Sequence, residues 1–456
     1  MKKRSSILMM FAVMFCVFFA SSTNVKAQEE YTLEDMREYI ISEMENLHTG
    51  IDVTHFGDVR IFGSSEEMIL FLKECKVNVI WTGYTPLFYS NYSEATGEYT
   101  LNVVRPRYVC TEQNADKAVK AANKLLEGIK GNDNLTDVQK ALLIHDRLIV
   151  SCEYDEMYYN IDPDRIPALS HSGYAVLTKN IAVCDGYAAA YKYLLEQVGI
   201  RAEICSSEKL RHSWNIVYID DVPYHVDVTW DDPVADTEGY VSHKNFLVSS
   251  EKLYQTGHKA DDYDTTSNST TYDNAFWRDS KAEFQLLEGK IYYINNSKDK
   301  LMEWNEDKHS MLCDVSDRWG EFPMAYFNYA LLSNDGEKLL FSLADAIYAF
   351  DVESKEKNLV YQPEKTSEDM DIYGFTYKDG EFICELNNEA FIYAEAILQE
   401  YLLIFMVAVI AIVIIIILII VFIVKLIKKR KKKKLLKKQA LVAAEVFEES
   451  NDISQE

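Results

Sequence analysis

Three residues of types that can cooperate in nucleophilic catalysis follow one another along the middle of this chain: Cys184, His212 and Asp227. A thiol becomes a nucleophile once it loses its proton, an imidazole can accept that proton, and a carboxylate can fix the imidazole tautomer. The three residues lie in the stretches VCDGYA, RHSWNIVYI and YHVDVTWDDP. Their chemistry depends on the elements that would bring the three side chains together.

A helix is predicted to carry the cysteine. Apolar residues recur at three-and-four spacing from Cys184 to Val198, and Gly199 suits the C′ position that ends a helix. Cys184 would then lie in the first turn, where unpaired N–H groups and the positive end of the helix dipole favour the thiolate. Because cysteine is also among the most often buried residues, this position alone favours a core residue over a nucleophile.

Two strands are predicted to carry the histidine and the aspartate. Residues 212–219 and 224–230 are rich in Val, Ile, Tyr and Trp, and Asp220-Asp221 between them forms the predicted turn. If the loop consists of those two residues, Asp227 lies opposite Trp214. His212 and Asp227 are then diagonal neighbours on one face of the hairpin.

Three features leave this register and the choice of base open. Pro223 cannot donate a hydrogen bond to a strand ladder, which weakens the two-residue loop. A four-residue loop would place Asp227 opposite Ile216, too far from His212 to orient it. His225 alternates with Asp227 on the same face and is therefore a rival for the role of base.

The three stretches closely resemble the transglutaminase-like superfamily, a circularly rearranged relative of the papain-like cysteine proteases, in its bacterial secreted and membrane-anchored branch. Two further stretches, IHDRLIVSCEYD and HSGYAVL, resemble the lead-in helix and linker of such domains. The resemblance implies an α+β catalytic domain in which the helix bearing the cysteine packs on an antiparallel sheet. It also implies Cys184 as nucleophile, His212 as general base and acid, and Asp227 as the orienting carboxylate.

The implied activity is attack on a carboxamide or peptide carbonyl, with a thioester formed on Cys184. Resolution of the thioester by water makes a peptidase or amidase, which we favour slightly, and resolution by an amine makes a cross-linking transglutaminase. The backbone N–H of Cys184 would help to hold the oxyanion, and Tyr174 is a candidate second donor. Trp214 and Trp230 are candidate walls of the substrate cleft. The alternative is a non-catalytic cell-surface binding module that uses the same fold.

The two ends of the chain predict an exported, membrane-anchored protein. A basic start, an uncharged run at 7–20 and the cleavage-like tripeptide Val25-Lys26-Ala27 predict a signal peptide at 1–27. Residues 401–424 carry no charge and predict a transmembrane helix. The basic run after it places the tail, 425–456, in the cytoplasm and the bulk outside. We therefore expect a single-pass cell-membrane protein that acts on a peptide or protein at the cell surface or wall.

The remainder of the chain divides by composition. The predicted regions are an N-terminal α/β region at 28–114, the catalytic domain at 115–257, a polar linker at 258–274 and a β-repeat domain at 275–396. In the first region, 31–47 and 114–129 are predicted helices, and 77–81 and 99–104 are predicted strands. The pattern at Thr136 to Gln139 predicts a capping box that begins the next helix.

The β-repeat domain is predicted from three turn glycines. Gly289, Gly336 and Gly380 lie in similar aromatic-rich hairpin patterns, 47 and 44 residues apart. This spacing predicts blade-like antiparallel repeats, arranged as a small sheet domain or part of a propeller. Such a domain would hold the catalytic domain off the membrane or bind a ligand, and the spacer role is favoured.

Charge and cysteine content limit the partners. Without the predicted signal peptide and basic tail, 33 basic residues remain against 67 acidic ones, which disfavours a nucleic-acid partner. Removal of Cys16 with the signal leaves seven cysteines, an odd number outside the cell, so at least one thiol is free unless chains are joined, and Cys184 is the candidate.

No cofactor or metal is predicted. Cysteines and histidines do not occur at zinc-binding spacing. The acidic residues after Trp230 lack a full calcium-loop signature, so a calcium site there is disfavoured: Asp231, Asp232, Asp236 and Glu238. His145 and His171 are interpreted as structural histidines.

Overall fold

The structure is a computed structural model that describes most of the chain between residues 31 and 434. The described residues are 31–158, 161, 165–232, 234, 236–260, 262–263, 266–305, 308–316, 330–365, 370–388, 405–406, 408–410, 412, 414–417, 419 and 421–434. The predicted signal peptide lies outside them, as do the predicted tail beyond 434 and the first four residues of the predicted membrane span. The chain divides into two compact units, and the larger one holds the described parts of 31–316, 330–364 and 372–386.

The N-terminal region combines two helices with one antiparallel sheet. The elements in chain order are α1 (Leu33–Glu45), β1 (Ile51–Asp52), β2 (Ile61–Phe62), α2 (Ser65–Val77), β3 (Leu87–Tyr92) and β4 (Tyr99–Arg105). Strand β4 is central, with β3 on one side and β1 and β2 on the other. The helix predicted at 31–47 and the strand predicted at 99–104 are confirmed.

The strand predicted at 77–81 is wrong. Helix α2 runs to Val77, and the chain then turns. The buried residues Met68, Leu72, Cys75 and Val79 are spaced by four, three and four, which is the period of a helix face. The short apolar run at 77–81 is therefore the end of a helical pattern and the turn that follows it, not an independent strand.

The middle of the chain supplies the elements around Cys184, His212 and Asp227. In chain order they are α3 (Glu112–Leu125), α4 (Asp137–Ser151), β5 (Glu153–Tyr154), α5 (Gly173–Lys179), β6 (Ile181–Ala182), α6 (Cys184–Glu196), β7 (Ala202–Ser207), β8 (His212–Ile219), β9 (Val222–Val226), α7 (Val228–Asp231) and α8 (Ser250–Thr256). The capping box at the start of α4 is confirmed, because the Thr136 and Gln139 side chains each accept a hydrogen bond from the other's backbone N–H.

The β8–β9 hairpin has the predicted two-residue turn. Ile219 pairs with Val222, and both Asp220 and Asp221 have positive φ, as a tight hairpin turn between right-twisted strands requires. Pro223 is tolerated because β9 is the last strand of the β7-β8-β9 sheet.

The second predicted strand of this hairpin is too long. The sequence pattern extends it to Trp230, but β9 ends at Val226. Asp227 is the N-cap of α7, and its Oδ1 accepts a hydrogen bond from the Trp230 backbone N–H at 3.1 Å. Because Asp227 caps a helix, it does not pair in the strand ladder, and its carboxylate does not follow the alternation of side chains along β9.

Helix α6 is the central helix of this region. Tyr187, Tyr191 and Leu194 are fully buried, and the Asn215 amide of β8 donates to the Ala188 carbonyl at 2.9 Å. A Cβ on Gly186 would lie 3.0 Å from the Ser170 carbonyl oxygen, so the first turn packs closely against the preceding loop. These contacts fix the start of the helix, where Cys184 lies.

The β-rich region contains two four-stranded antiparallel sheets and a hairpin among its described residues. The strands are β10 (Gln285–Leu287), β11 (Lys290–Asn295), β12 (Lys300–Asn305), β13 (Lys308–Asp314), β14 (Leu332–Asn334), β15 (Leu339–Ser342), β16 (Ile347–Phe350), β17 (Lys357–Tyr361), β18 (Met370–Lys378) and β19 (Glu381–Asn388). Each sheet is a meander, β10 to β13 and β14 to β17, and β18 pairs with β19. Gly289, Gly336 and Gly380 each occupy the first hairpin turn of one repeat, with positive φ.

One described helix is long and apolar enough to cross a membrane. This helix, α9, spans Ala408–Lys434 over 27 residues. It contains most of the span predicted at 401–424 and the first part of the basic run. The apolar side chains of its described residues are exposed, as those of a lipid-facing helix would be.

Candidate active site

Cys184 is the first residue of α6, and its side chain is partly exposed. The residue before it, Val183, occupies the N-cap position and makes no side-chain hydrogen bond to the first turn. Valine has no polar side-chain atom, so it cannot cap the N–H groups as serine or aspartate would. The helix thus presents uncapped N–H groups at the position of its thiol, a suitable place to stabilise negative charge.

His212 and Asp227 form a short, buried contact. Nε2 of His212 lies 2.6 Å from Oδ2 of Asp227, which leaves Nδ1 as the ring nitrogen available to the thiol. The Cys184 thiol lies close enough to His212 to affect the pKa of the imidazole. Burial lowers the pKa of His212, but the charge of Asp227, the hydrogen bond to Asp227 and the nearby Cys184 thiol outweigh burial and raise it to about 10. The structure thus brings the three predicted residues together in the predicted order.

Asp227 is held by three donors. Oδ2 accepts from Nε2 of His212 and lies 2.7 Å from Nε2 of His258, while Oδ1 accepts from the Trp230 backbone N–H. Burial opposes ionisation of this carboxyl, but the charge of His212 and the imidazole hydrogen bonds hold its pKa well below the usual range. A carboxylate fixed in this way stays ionised and keeps one orientation toward His212.

Two tryptophans enclose the His212 ring. Trp214 is buried, and its ring stacks on one side of His212 at a centroid distance of 5.8 Å. Trp230 stacks on His212 at 5.1 Å and is 40% exposed. Trp214 therefore packs beneath the imidazole, whereas Trp230 is the ring that a bound molecule could contact.

His225, the rival base, lies away from the thiol pair. Its Nδ1 accepts from the Trp214 indole N–H at 3.0 Å, and its Nε2 lies 2.9 Å from the Ser250 hydroxyl. Burial lowers the pKa of His225 to about 4, with His258 adding to the effect. A neutral histidine with both nitrogens engaged supports the packing of Trp214 and is not placed to receive the Cys184 proton.

Tyr174 lies in the hydrophobic core. Its side chain is 7% exposed and packs in the cluster that includes Tyr187 and Tyr191. Its backbone N–H donates to the Ile80 carbonyl at 2.9 Å. That N–H is already used to hold α5 against the 80–83 turn. The phenol of Tyr174 is the donor that is left as a candidate for the oxyanion, and it is buried in the core.

Asp185 links the cysteine turn to the N-terminal region, a connection that the sequence analysis missed. Its Oδ2 accepts from Nζ of Lys76 at 2.9 Å, and its Oδ1 lies 2.8 Å from Nδ1 of His171. Burial opposes ionisation, but the Lys76 charge and the His171 contact lower the pKa of Asp185 to about 2. Lys76 is 109 residues away in sequence, and no local pattern signals this pair.

A second buried group of acidic and histidine side chains lies within the same compact unit. Asp146 Oδ1 lies 2.8 Å from Nδ1 of His145 and 3.0 Å from Nε2 of His243, and His145 Nε2 is 3.3 Å from Asp231. Burial lowers the pKa of His145, but Asp146 and Asp231 raise it to about 9. These contacts join α4, α7 and the chain around His243, which is the structural role interpreted for His145.

Among the described residues, two sets of ligand-type atoms lie close enough to hold an ion, each within 4.8 Å: those of His145, Asp146 and His243, and those of His212, Asp227 and His258. In both sets the carboxylate already binds the imidazoles. Asp231, from the disfavoured calcium group, accepts from the Asn245 backbone N–H at 3.0 Å.

The seven described cysteines outside the predicted signal peptide are all free thiols. Burial raises the pKa of Cys75 to about 12 and those of Cys110 and Cys384 to about 11. These thiols are poorly suited to react at neutral pH. Cys184, in contrast, lies near His212, the histidine that binds Asp227.

The segment predicted as a polar linker, 258–274, carries buried side chains. His258 and Ser267 are almost completely buried, and the Ser267 hydroxyl donates to the Pro223 carbonyl at 2.6 Å. Asp273 accepts from the Ser249 backbone N–H at 2.8 Å. Polar residues in this segment thus make hydrogen bonds within the fold, and His258 reaches Asp227.

No protein-family model and no curated protein sequence matches this chain. Among solved structures, it is similar to a TGase, with a TM-score of 0.22 and 14% identity over 36% of this chain and 48% of that one. It is also similar to a candidate cysteine protease from Cytophaga hutchinsonii, with a TM-score of 0.19 and 14% identity over 33% of this chain and 64% of that one. The chain thus spans about half and just under two thirds of these two proteins. The chemistry of the site is therefore inferred from its own residues.

Proposed function

We propose that this chain is a transglutaminase-like cysteine enzyme that acts on amide bonds of peptides or proteins. The observation that carries the proposal is the contact of Cys184, at the start of α6, with His212, whose Nε2 lies 2.6 Å from Asp227. A thiol, an imidazole and an ionised carboxylate in this order can store, transfer and return one proton.

The first half of the reaction forms a thioester. His212 takes the Cys184 proton, and the resulting imidazolium is stabilised by Asp227. The thiolate attacks the carbonyl carbon of the amide, and negative charge develops on the carbonyl oxygen. The uncapped N–H groups at the start of α6 are placed to bind that oxyanion. His212 then protonates the departing nitrogen, the C–N bond breaks, and an amine leaves.

The second half of the reaction releases the acyl group. His212, which has given its proton to the departing amine, takes a proton from water as the hydroxide attacks the thioester carbon. The C–S bond then breaks, His212 returns the proton to the Cys184 sulfur, and a carboxylic acid and the free thiol result. We propose hydrolysis as the main outcome, with transfer to a primary amine as the alternative. The partly exposed Trp230 beside His212 would contact the substrate chain in either case.

We also propose that the enzyme is anchored by α9 with its catalytic part outside the membrane. The support is the length and apolar character of α9 and the basic residues at its C-terminal end. The substrate would then be a peptide or protein at the cell surface or wall.

The experiment that tests the catalytic proposal is iodoacetamide labelling of the full chain in detergent, followed by peptide mass mapping. Cys184 should label fastest, its rate should persist below pH 7, and His212→Ala should lower the rate at pH 6.5 by about 100-fold. Cys75 and Cys110 serve as internal slow thiols, and His48→Ala, at an exposed histidine, is the matched control.

Labelling of Cys184 that is no faster than that of Cys110 and is unchanged in His212→Ala would contradict the enzyme proposal and favour the binding module. If the thiol is activated, incubation with a protein mixture and a fluorescent primary amine separates the two acyl fates. Release of free carboxylate without amine incorporation supports hydrolysis, and labelled protein supports amine transfer.

A further inference from the structure

A second histidine binds the aspartate of the Cys184–His212 pair. His258 is 0% exposed, and its Nε2 lies 2.7 Å from Asp227 Oδ2, the oxygen that also lies 2.6 Å from His212 Nε2. His258 follows α8, 31 residues after Asp227, and lies beyond the stretches that resemble a known family. Its position at the catalytic carboxylate therefore needs its own explanation.

The other nitrogen of His258 defines its tautomer. Nδ1 is buried and has no hydrogen-bond partner among the described residues. A buried N–H without an acceptor is costly, whereas Nε2 faces a carboxylate oxygen that accepts a proton donor. The tautomer with its proton on Nε2 avoids a buried Nδ1–H without an acceptor. His258 thus donates from Nε2 to Asp227.

The chain around His258 is shaped to place this ring. Gly257 has φ +128, and a Cβ there would lie 2.9 Å from the Trp230 ring, so a glycine is required directly before the histidine. The His258 ring lies 3.9 Å from the Trp230 centroid and 5.1 Å from the Trp214 centroid. The same two tryptophans enclose His212. One aromatic enclosure thus holds both imidazoles against Asp227.

We propose that His258 is a positioning residue for the reactive pair: its Nε2–H fixes Asp227 in the orientation in which the carboxylate accepts from His212. This inference rests on the proposed function. Loss of the donor leaves Oδ2 with a single imidazole and frees the carboxylate to turn about its side-chain bonds. His212 then loses part of its support as an imidazolium, and the thiolate of Cys184 loses its counter-charge.

The titratable groups that face this ring are few. Among the described residues, Asp227 and His212 lie against it, His225 lies near enough to interact with it electrostatically, and Cys184 lies near His212. Tyr263 donates to the His258 carbonyl at 3.5 Å and touches the Trp214 ring at 5.0 Å. A change in the pH profile of Cys184 on substitution of His258 therefore reports on the Asp227–His212 contact.

The test is the pH profile of Cys184 labelling by iodoacetamide in the full chain in detergent, for wild type, His258→Leu and His258→Gln. Leucine fills similar space without a donor, so the acid limb should move up by about one pH unit and the rate at pH 6 should fall about 10-fold. The glutamine amide can donate from nearly the position of Nε2, and it should keep the rate within about threefold of wild type. Slow labelling of the buried Cys75 checks that each variant is folded.

The outcomes separate the two proposals. Fast, pH-persistent labelling in wild type with an unchanged profile in His258→Leu would overturn the positioning role while leaving the enzyme proposal intact. Equal losses in His258→Gln and His258→Leu, with both folded, would show that the ring acts only as packing and would also overturn it. Slow labelling of Cys184 in wild type would reject the enzyme proposal and, with it, this inference. If His258→Leu does not fold, the comparison of His258→Gln with His258→Asn, whose amide is too short to reach Asp227, replaces it, and equal profiles overturn the role.

Discussion

Two buried groups in this protein have the same composition, two histidines around one aspartate, and differ in what surrounds them. In the first, which we term the reactive cluster, His212 and His258 flank Asp227. In the second, which we term the core cluster, His145 and His243 flank Asp146. Both carboxylates are fully buried and both bind two imidazoles.

The difference between the clusters is what lies at their outer edge. The reactive cluster has a thiol at a helix start and the exposed Trp230 ring beside His212. The core cluster is closed by a second carboxylate, Asp231, and by Phe246 and Phe284, whose rings lie 5.1 Å from His145 and 5.3 Å from His243. Paired histidines and aspartates therefore stabilise charge in both places, and only the first arrangement places that charge beside a nucleophile.

The largest expected effect is on the free energy of unfolding, which should differ between substitutions in the two clusters. His145→Ala removes the cation between Asp146 and Asp231 and leaves two carboxylates buried without it, so it should lower the free energy of unfolding by about 3–5 kcal/mol. His212→Ala should cost less, about 1–2 kcal/mol, because Asp227 keeps the His258 and Trp230 donors. Urea unfolding of the full chain in detergent measures both. Equal losses in the two variants would contradict the distinction.

The next effect is a loss of stability at alkaline pH. The folded pKa values of about 9 for His145 and about 10 for His212 lie above the ordinary value of 6.5. A raised histidine pKa contributes stability that is fully present below pH 6.5 and is lost as pH rises through the folded value, about 3 kcal/mol for His145 alone. Thermal unfolding from pH 6 to 10 should show this decline. His145→Ala should reduce the decline to the part that His212 contributes, and a decline of wild-type size in that variant would exclude His145 as a source.

A smaller effect concerns the link from the N-terminal region to the cysteine turn. Lys76→Met removes the cation from Asp185 and leaves His171 as its remaining partner, so stability at pH 7 should fall by about 1–3 kcal/mol. The lowered pKa of Asp185 stabilises the fold above pH 3.8, and this contribution is lost as pH falls through about 2. In Lys76→Met the acid loss should begin at higher pH. Lys124→Met, at an exposed lysine, is the matched control.

How much of the site could be predicted depended on how far apart in sequence the contacting residues lie. Strand β8 has the predicted bounds, and the Asp220-Asp221 turn fixed the two-residue loop, because turn chemistry is local. The predicted end of strand β9 lies four residues too late, because alternation of apolar residues does not show that Asp227 caps a helix. The contacts of His258 and Lys76 span 31 and 109 residues, and neither residue carries a local pattern that marks it.

The smallest expected effect concerns Trp230, the exposed ring at the outer edge of the reactive cluster. Trp230 stacks on His212 at 5.1 Å while 40% of its surface is exposed, so Trp230→Ala should cost only about 1 kcal/mol of stability. It opens the His212 ring to water, which weakens the imidazolium–carboxylate contact, and Cys184 labelling at pH 6 should fall about threefold. With an amide substrate, KM should rise more than kcat falls, because the ring contacts the chain rather than the reacting atoms. Tyr92→Ala, an exposed aromatic of the N-terminal sheet, is the control. A fall in kcat with unchanged KM would assign Trp230 to the chemistry itself.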